Sequence, residues 1–477
     1  MLTDRYPPQD LFTQIPSLDL QFEPVLAHLD RLLDDDGLFQ QLQADLARRR
    51  PHTRDRGRPS TPVEVILRML VVMRLYGWSY AQTEYFVRDS LVLRQFCRVY
   101  WAPVPDDTVL LRWAHCVTPT TLQALHERVM QLACQAKVTR GRKLRLDTTV
   151  VATNIHPPAD SSLLTDGVRG LGRLLRRAKQ VLGDAGTLGK AVFRDRLRSV
   201  RARCGQLRRL FRSKQLAGSA KATAVQEVYR ELLTIAKQSQ AQGRRVQAAL
   251  LAAATGAGAA TARQAQRLGE QLGRWLEQFA QVQAQARRRV LLGEQVPASE
   301  KVLSFFEPHT QIFQRGKAGG KVEFGRKLWL DEVEGGLVSG YTVLKTRTGS
   351  EAALVPAHLK QHQERFGHAP VLVAGDRGLS HPDTVAAAEQ AGVKRVVLPA
   401  VGKPPPEQAA REKQRWFRRG YRWRAGIEGR ISVLQRRFGL SRCPYRGEVG
   451  MERWVGWGVI THNLWQIARA QAARQAA

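Results

Sequence analysis

Residues 143–155 read KLRLDTTVVATNI. Leu144, Leu146, Thr148 and Val150 alternate with Arg145, Asp147, Thr149 and Val151, and this period of two in a run rich in β-branched side chains predicts a strand. Asp is depleted in strands, so Asp147 needs a reason to be there and is the first candidate functional residue.

Upstream of this strand the pattern is helical. Thr61-Pro62 sets an N-cap beside a proline suited to the first helical position, and Val65, Ile66, Met69, Leu70 and Met73 recur at helical spacing until Gly77. Further helices are predicted from Ser79, after Asp106-Asp107, and from Thr118-Pro119 through HERVMQLACQ. Residues 1–140 therefore form a helical N-terminal domain. Two readings of it stay open: a helix-turn-helix DNA reader, or a small bundle that packs against the rest.

Downstream, no proline occurs from Ala159 to Val296, and Ala, Leu, Gln and Arg dominate. The stretch reads as long helices with a break near TGAGAA at 255–260. Strand patterning resumes after Pro297. The run KVEFGRKLWLDEVEGGLVSGYTVLK predicts a hairpin turning at Gly335-Gly336. A helix over ALVPAHLKQHQERFG, a strand in APVLVAGDRG, a helix from Ser380-His381-Pro382 to Gly392 and a strand in KRVVLPA follow. Two last helices span 411–438 and about 449–471. The order strand, helix, strand predicts a crossover unit of a mixed α/β sheet. The predicted division is 1–140, a core made of 141–168 and 297–477, and a helical insertion at 169–296.

Charge narrows the function. The 477 residues carry 75 Lys and Arg against 42 Asp and Glu, a formal +33, with 43% hydrophobic residues and a mean hydropathy of −0.34. A folded protein this basic seeks a polyanion. Residues 169–296 hold 26 basic and 7 acidic side chains, so this block alone contributes +19. Aromatic residues are few there, which favours grip on a phosphate backbone over reading of bases. No apolar run is long enough to span a bilayer, and MLTDRYPPQDLF lacks the order of a secretion signal, so a cytoplasmic, nucleoid-associated protein with no membrane partner is expected. Cys97, Cys116, Cys134, Cys204 and Cys443 form no C-x-x-C pair, which argues against zinc ribbons and a disulfide framework.

Against this background the acids are informative. Asp376 ends a strand, where ligand sites of open α/β sheets form. Glu428 lies in EKQRWFRRGYRWRAGIEGRISVLQRRFG, beside the apolar stripe of Ile427, Ile431, Leu434 and Phe438. Three carboxylates suit two Mg²⁺ ions about 4 Å apart, which activate water and stabilise a leaving phosphodiester oxygen. Like charges gathered without an ion would instead raise one another's pKa.

Tyr421, Arg424 and Glu428 also fit a Y-x2-R-x3-E pattern, and with it the chain resembles the RNase H-like DDE transposases of bacterial insertion sequences, in particular the ISNCY-like group. The segments LDTTVVATNIHPPADSSLLTDGVRGL, SFFEPHTQIF and VLVAGDRGLSHP resemble those families too, so the likeness spans about 60–170 and 300–470. It implies an RNase H-like mixed sheet with flanking helices, interrupted by the long helical insertion. It also implies Asp147 on the first strand, Asp376 on the fourth and Glu428 on the helix that follows as catalytic, metal-holding residues. The cofactor implied is Mg²⁺, two ions, with Mn²⁺ as a substitute. The implied partner is double-stranded DNA, both the terminal inverted repeats of the element and its target, with a homodimer assembled on it. Tyr421, Arg424, Arg377, Gln435 and Arg436 are the candidate DNA contacts. The signature ends in Lys seven residues after its Glu, whereas Gln435 stands there here, with Arg436 one helical step of about 100° away.

Each candidate has a plainer reading. Glu428 pairs readily with Arg424 at i−4, and Tyr421 could belong to the core. His156 would order the Pro157-Pro158 turn, Asp160 and Asp166 would cap a helix, and Trp416, Trp423, Trp454, Trp457 and Trp465 would be core or interface aromatics. The rival functions are an RNase H-fold nuclease without strand transfer and a catalytically decayed DNA-binding protein.

Overall fold

The computed structural model describes residues 1–7, 22–48, 52, 59–183, 193–215, 217–256, 259–314, 322–344 and 350–476. The chain divides into two compact units, Met1–Asn154 with Phe313–Ala477, and Ile155–Ile312.

The first unit is built on a mixed sheet. Its strands, among the described residues, are β1 (Lys143–Thr153), β2 (Gln311–Gln314), β3 (Val322–Val333), β4 (Leu337–Val343), β5 (Leu372–Ala374), β6 (Arg395–Val397) and β7 (Arg442–Cys443). The main order is β2-β3-β1-β5-β6, with β4 on β3 and β7 on β1. The strand predicted from alternation is thus the centre of the sheet. It pairs antiparallel with β3 and parallel with β5, and Asp147 lies opposite Leu330. The β3–β4 hairpin turns where predicted, with Gly335 and Gly336 at φ +83° and +72°, a region that side chains with a Cβ enter only under strain.

Alternation along β1 sorts its side chains between two cores. Leu144 and Leu146 join the larger one with Val373, Val396, Leu359 and the N-terminal helices, while Val151 packs with Leu328, Leu330 and Leu434 on the other face. The predicted helix starts at Ser79, Asp106 and Thr118 hold, each side chain accepting a backbone N–H of the first turn. Gly77 ends its helix in the left-handed region at φ +70°. Pro62 itself is the N-cap of Val63–Tyr76, one residue later than the spacing predicts. That helix is buried over nearly its whole length and shares the larger core, so the described residues of 1–140 fold in one unit with the sheet.

The predicted 411–438 helix is two helices, Pro406–Lys413 and Arg415–Arg437, because Gln414 between them is extended at ψ 144°. The last helix runs from Gly447 to Gln475 and packs on β4 and on Pro119–Gln135.

The second unit contains the helices Asp160–Leu182, Leu197–Arg212, Gly218–Gly256 and Ala259–Ala286. The central residues of the predicted break, 257–258, lie outside the described residues. Close crossings rely on glycine. A Cβ on Gly170 would meet the Trp275 ring at 1.8 Å, and one on Gly167 would meet Phe279 at 2.3 Å. Among the described residues no helix is long and apolar enough to cross a membrane. The five cysteines form no disulfide with one another.

Candidate active site

The polar side of β1 faces the helix Arg415–Arg437, and the two elements are joined side chain by side chain. Arg145 donates to the Trp423 carbonyl, Arg424 donates to Asp147, and Gln435 donates its Nε2 to Thr149 Oγ1 at 3.0 Å. Val151 then packs with Leu434. The strand's period of two and the helix's period of 3.6 meet along this one line.

Asp147 is nearly buried. Its Oδ1 accepts the Thr148 backbone N–H at 2.8 Å, and its Oδ2 accepts Arg424 Nη2 at 2.9 Å. Burial raises its carboxyl to about 6; Arg424 opposes this, while the negative fields of Asp376 and Glu428 add to it. Asp376 follows β5 through Gly375 and is half-buried. One oxygen accepts the Leu379 N–H at 3.2 Å, so the residue caps the short turn Arg377–Leu379. The side chain of Glu428 is 73% exposed and lies 3.6 Å from Arg424 Nη1. Arg424 therefore bridges Asp147 and Glu428, with its own Nε buried and unpartnered. The i−4 pair expected as the plain reading of Glu428 exists, but the same guanidinium also reaches the strand.

Three carboxylates are hard oxygen donors of the kind Mg²⁺ takes. Among the described residues no three His, Cys, Asp or Glu side chains close into a metal-holding group. The guanidinium of Arg424 supplies the positive charge between Asp147 and Glu428 that a cation would otherwise provide. The donor type fits a divalent ion.

The remaining predicted residues separate. Tyr421 is 41% exposed, not core. Arg377 is exposed beside Asp376. Gln435 is engaged with Thr149, and Arg436 lines a different cleft with Arg430, Arg437, Trp465 and Arg469, so the structure does not bring it to the acids. His156, Asp160 and Asp166 belong to the second unit. There the capping expectation is corrected: Asp160 is buried and accepts Gln285 and Arg289, and Asp166 is buried between His156 and Arg169. His156 does bond the Pro157 carbonyl, as expected, and reaches Asp166 as well.

Two acids escaped attention in the sequence, Asp331 and Glu332 on β3. Both are buried and fully engaged. Asp331 accepts Trp329 Nε1 and pairs with His358, each at 2.7 Å, while Glu332 holds Arg145 at 2.6 Å and Arg430 at 3.2 Å. Glu332 is thus a positioning residue for the Arg145 end of the strand–helix line. Its signal was an acid opposite Arg145 in a neighbouring strand, visible only once register is known.

The family model described as Transposase domain (DUF772) matches residues 14–116, and the one described as Transposase DDE domain matches residues 387–468. The two matches together support a DDE-type transposase of insertion-sequence type. No curated protein and no solved structure gives a significant match. The second match covers Tyr421, Arg424, Glu428 and Gln435, while Asp147 and Asp376 lie outside both matched segments.

Proposed function

We propose that this transposase cuts the ends of its own element and joins them to target DNA, with Asp147, Asp376 and Glu428 as its three catalytic acids on an RNase H-like core. The observation that carries this reading is the convergence on Asp147: Arg424 and Glu428 come from the facing helix, and Asp376 from the end of the neighbouring strand. Mg²⁺, or Mn²⁺ in its place, held as two ions by these carboxylates, would supply activation of water and charge stabilisation at the leaving oxygen. The chain's own groups do the rest. Asp147, already ionised near neutral pH, would exchange its Arg424 contact for the ion. Arg424 would be placed to meet a phosphate oxygen, and the exposed Tyr421 and Arg377 would take the flanking backbone. Hydrolysis breaks a P–O bond and leaves a 3′-hydroxyl. That hydroxyl attacks a target phosphorus, expelling a target 3′-oxygen, so no covalent protein intermediate is needed. The 169–296 block, with 26 basic and 7 acidic residues, would retain the duplex, and two DNA ends require at least a homodimer on DNA.

Purified protein, the DNA flanking its gene on both sides, a target plasmid and Mg²⁺ test the reading. Joined products are expected, and are lost on Asp376→Ala with DNA binding kept. Full joining by Asp376→Ala overturns the assignment. Nicking without joining would instead identify a nuclease. Gln435 in place of the signature Lys and the guanidinium lodged between two acids favour one second reading, a decayed DNA-binding protein. It predicts salt-sensitive binding and no Mg²⁺-dependent nicking.

A further inference from the structure

A groove of about 700 Å³ opens at the N-terminal ends of β1, β5 and β6, under the first turns of the helix Arg415–Arg437. Four cations rim it, Lys143, Arg395, Arg415 and Arg419, and no carboxylate lines it. All four are exposed, and none forms an ion pair among the described residues, unlike Arg145, Arg424 and Arg430 nearby. Its walls are the half-buried rings of Trp416 and Trp423. Leu372 and Gly420 form an apolar floor. A Cβ on Gly420 would meet Val397 at 2.6 Å, so the absence of a side chain lets the helix sit this close to the sheet.

We propose that this groove holds a short single-stranded stretch of DNA, its bases against the two tryptophans and its phosphates on the cationic rim. A duplex keeps its bases stacked inside and presents phosphate outward, so it has no use for an apolar floor and aromatic walls in a concavity. Unpaired nucleotides have both an exposed π-face and a charge, and aromatic residues with basic neighbours are the surface that takes them without regard to sequence. A concavity of this volume is in the range that encloses small organic groups. Position supports the same partner. Lys143 stands four residues before Asp147 on one strand, about 13 Å at the usual rise, and Trp423 directly precedes Arg424. A strand leaving the acids would run along β1 into the groove. The proposal requires DNA as the partner but not the three-acid assignment.

The test uses the full chain in EDTA, so that its failure and the failure of the catalytic reading are distinct. A fluorescein-labelled dT oligonucleotide is titrated by anisotropy, with a duplex of equal length as the comparison. Trp416→Ala is expected to weaken dT binding about tenfold, with duplex affinity changed less than about twofold. Arg419→Gln should reduce the salt slope for dT by about 0.7. Photo-cross-linking of the wild-type chain to an iodo-deoxyuridine oligonucleotide should mark the peptides carrying Trp416 or Trp423, a result independent of how any variant folds. Unchanged dT affinity in Trp416→Ala, or cross-links confined to residues 169–296, overturns the proposal. So would equal loss of duplex and dT binding in a variant with unchanged melting, which would make the groove a plain phosphate surface.

Discussion

Asp147→Asn separates what this carboxylate costs the fold from what it does in catalysis. Its pKa is raised from 3.8 to about 6, so the folded protein binds a proton more tightly than the unfolded chain in that window. Stability from this group therefore falls as pH rises from 3.8 through 6, and above 6 the whole cost of burying the charge is present. At 1.36 kcal/mol per pKa unit the cost is about 3 kcal/mol at pH 7.5 and about 1 kcal/mol at pH 4.5. The asparagine keeps an oxygen for Arg424 and never ionises. It should therefore raise stability most at pH 7.5 and least at pH 4.5. The assay is urea unfolding in EDTA followed by tryptophan fluorescence, which reports mainly the sheet unit because nine of the ten tryptophans lie there and only Trp275 in the other. The same variant should cut no DNA. A midpoint that drops at pH 7.5, or a gain equal at both pH values, would falsify the view that burial dominates the charge of Asp147.

Other perturbations probe the surrounding parts. Mg²⁺ at a hundredfold excess over its dissociation constant should stabilise the wild type by about 2.7 kcal/mol, seen as a raised melting temperature, and should leave Asp147→Asn and Asp376→Ala unmoved; an equal shift in all three would remove those acids from the metal site. Glu332→Ala strips Arg145 and Arg430 of their shared buried partner, with an expected loss of about 3–5 kcal/mol by denaturant unfolding; a loss below 1 kcal/mol would count against Glu332 as the anchor of the strand–helix line. Gly325→Ala places a Cβ 2.1 Å from the Val151 carbonyl oxygen between β1 and β3, and should cost about 3 kcal/mol while sparing the helical unit in limited proteolysis. Gly170→Ala does the reverse, driving the Trp275 and Asp160–Leu182 contacts apart; an unperturbed Trp275 environment by fluorescence in a chain lacking the other tryptophans would refute it.

Much of this molecule is written in short-range patterns. Alternation at 143–155 marks the central strand, side-chain oxygens at Ser79, Asp106 and Thr118 start helices, and Gly77 and Gly335-Gly336 end or turn the chain, because each of these acts on backbone groups within a few residues. Charge location is likewise a property of composition, and it places +19 in residues 169–296 whatever their fold. Tertiary structure alone decided which charges are spent. Asp331 and Glu332 look no less available than Asp147 in one dimension, yet His358, Trp329, Arg145 and Arg430 consume them. Arg424 reads as a helical partner of Glu428 until the strand 277 residues earlier supplies Asp147, and Gln435 reads as a lost lysine until Thr149, 286 residues away in sequence, takes its amide. Burial and the meeting of distant charges set those outcomes, and neither is a function of local sequence.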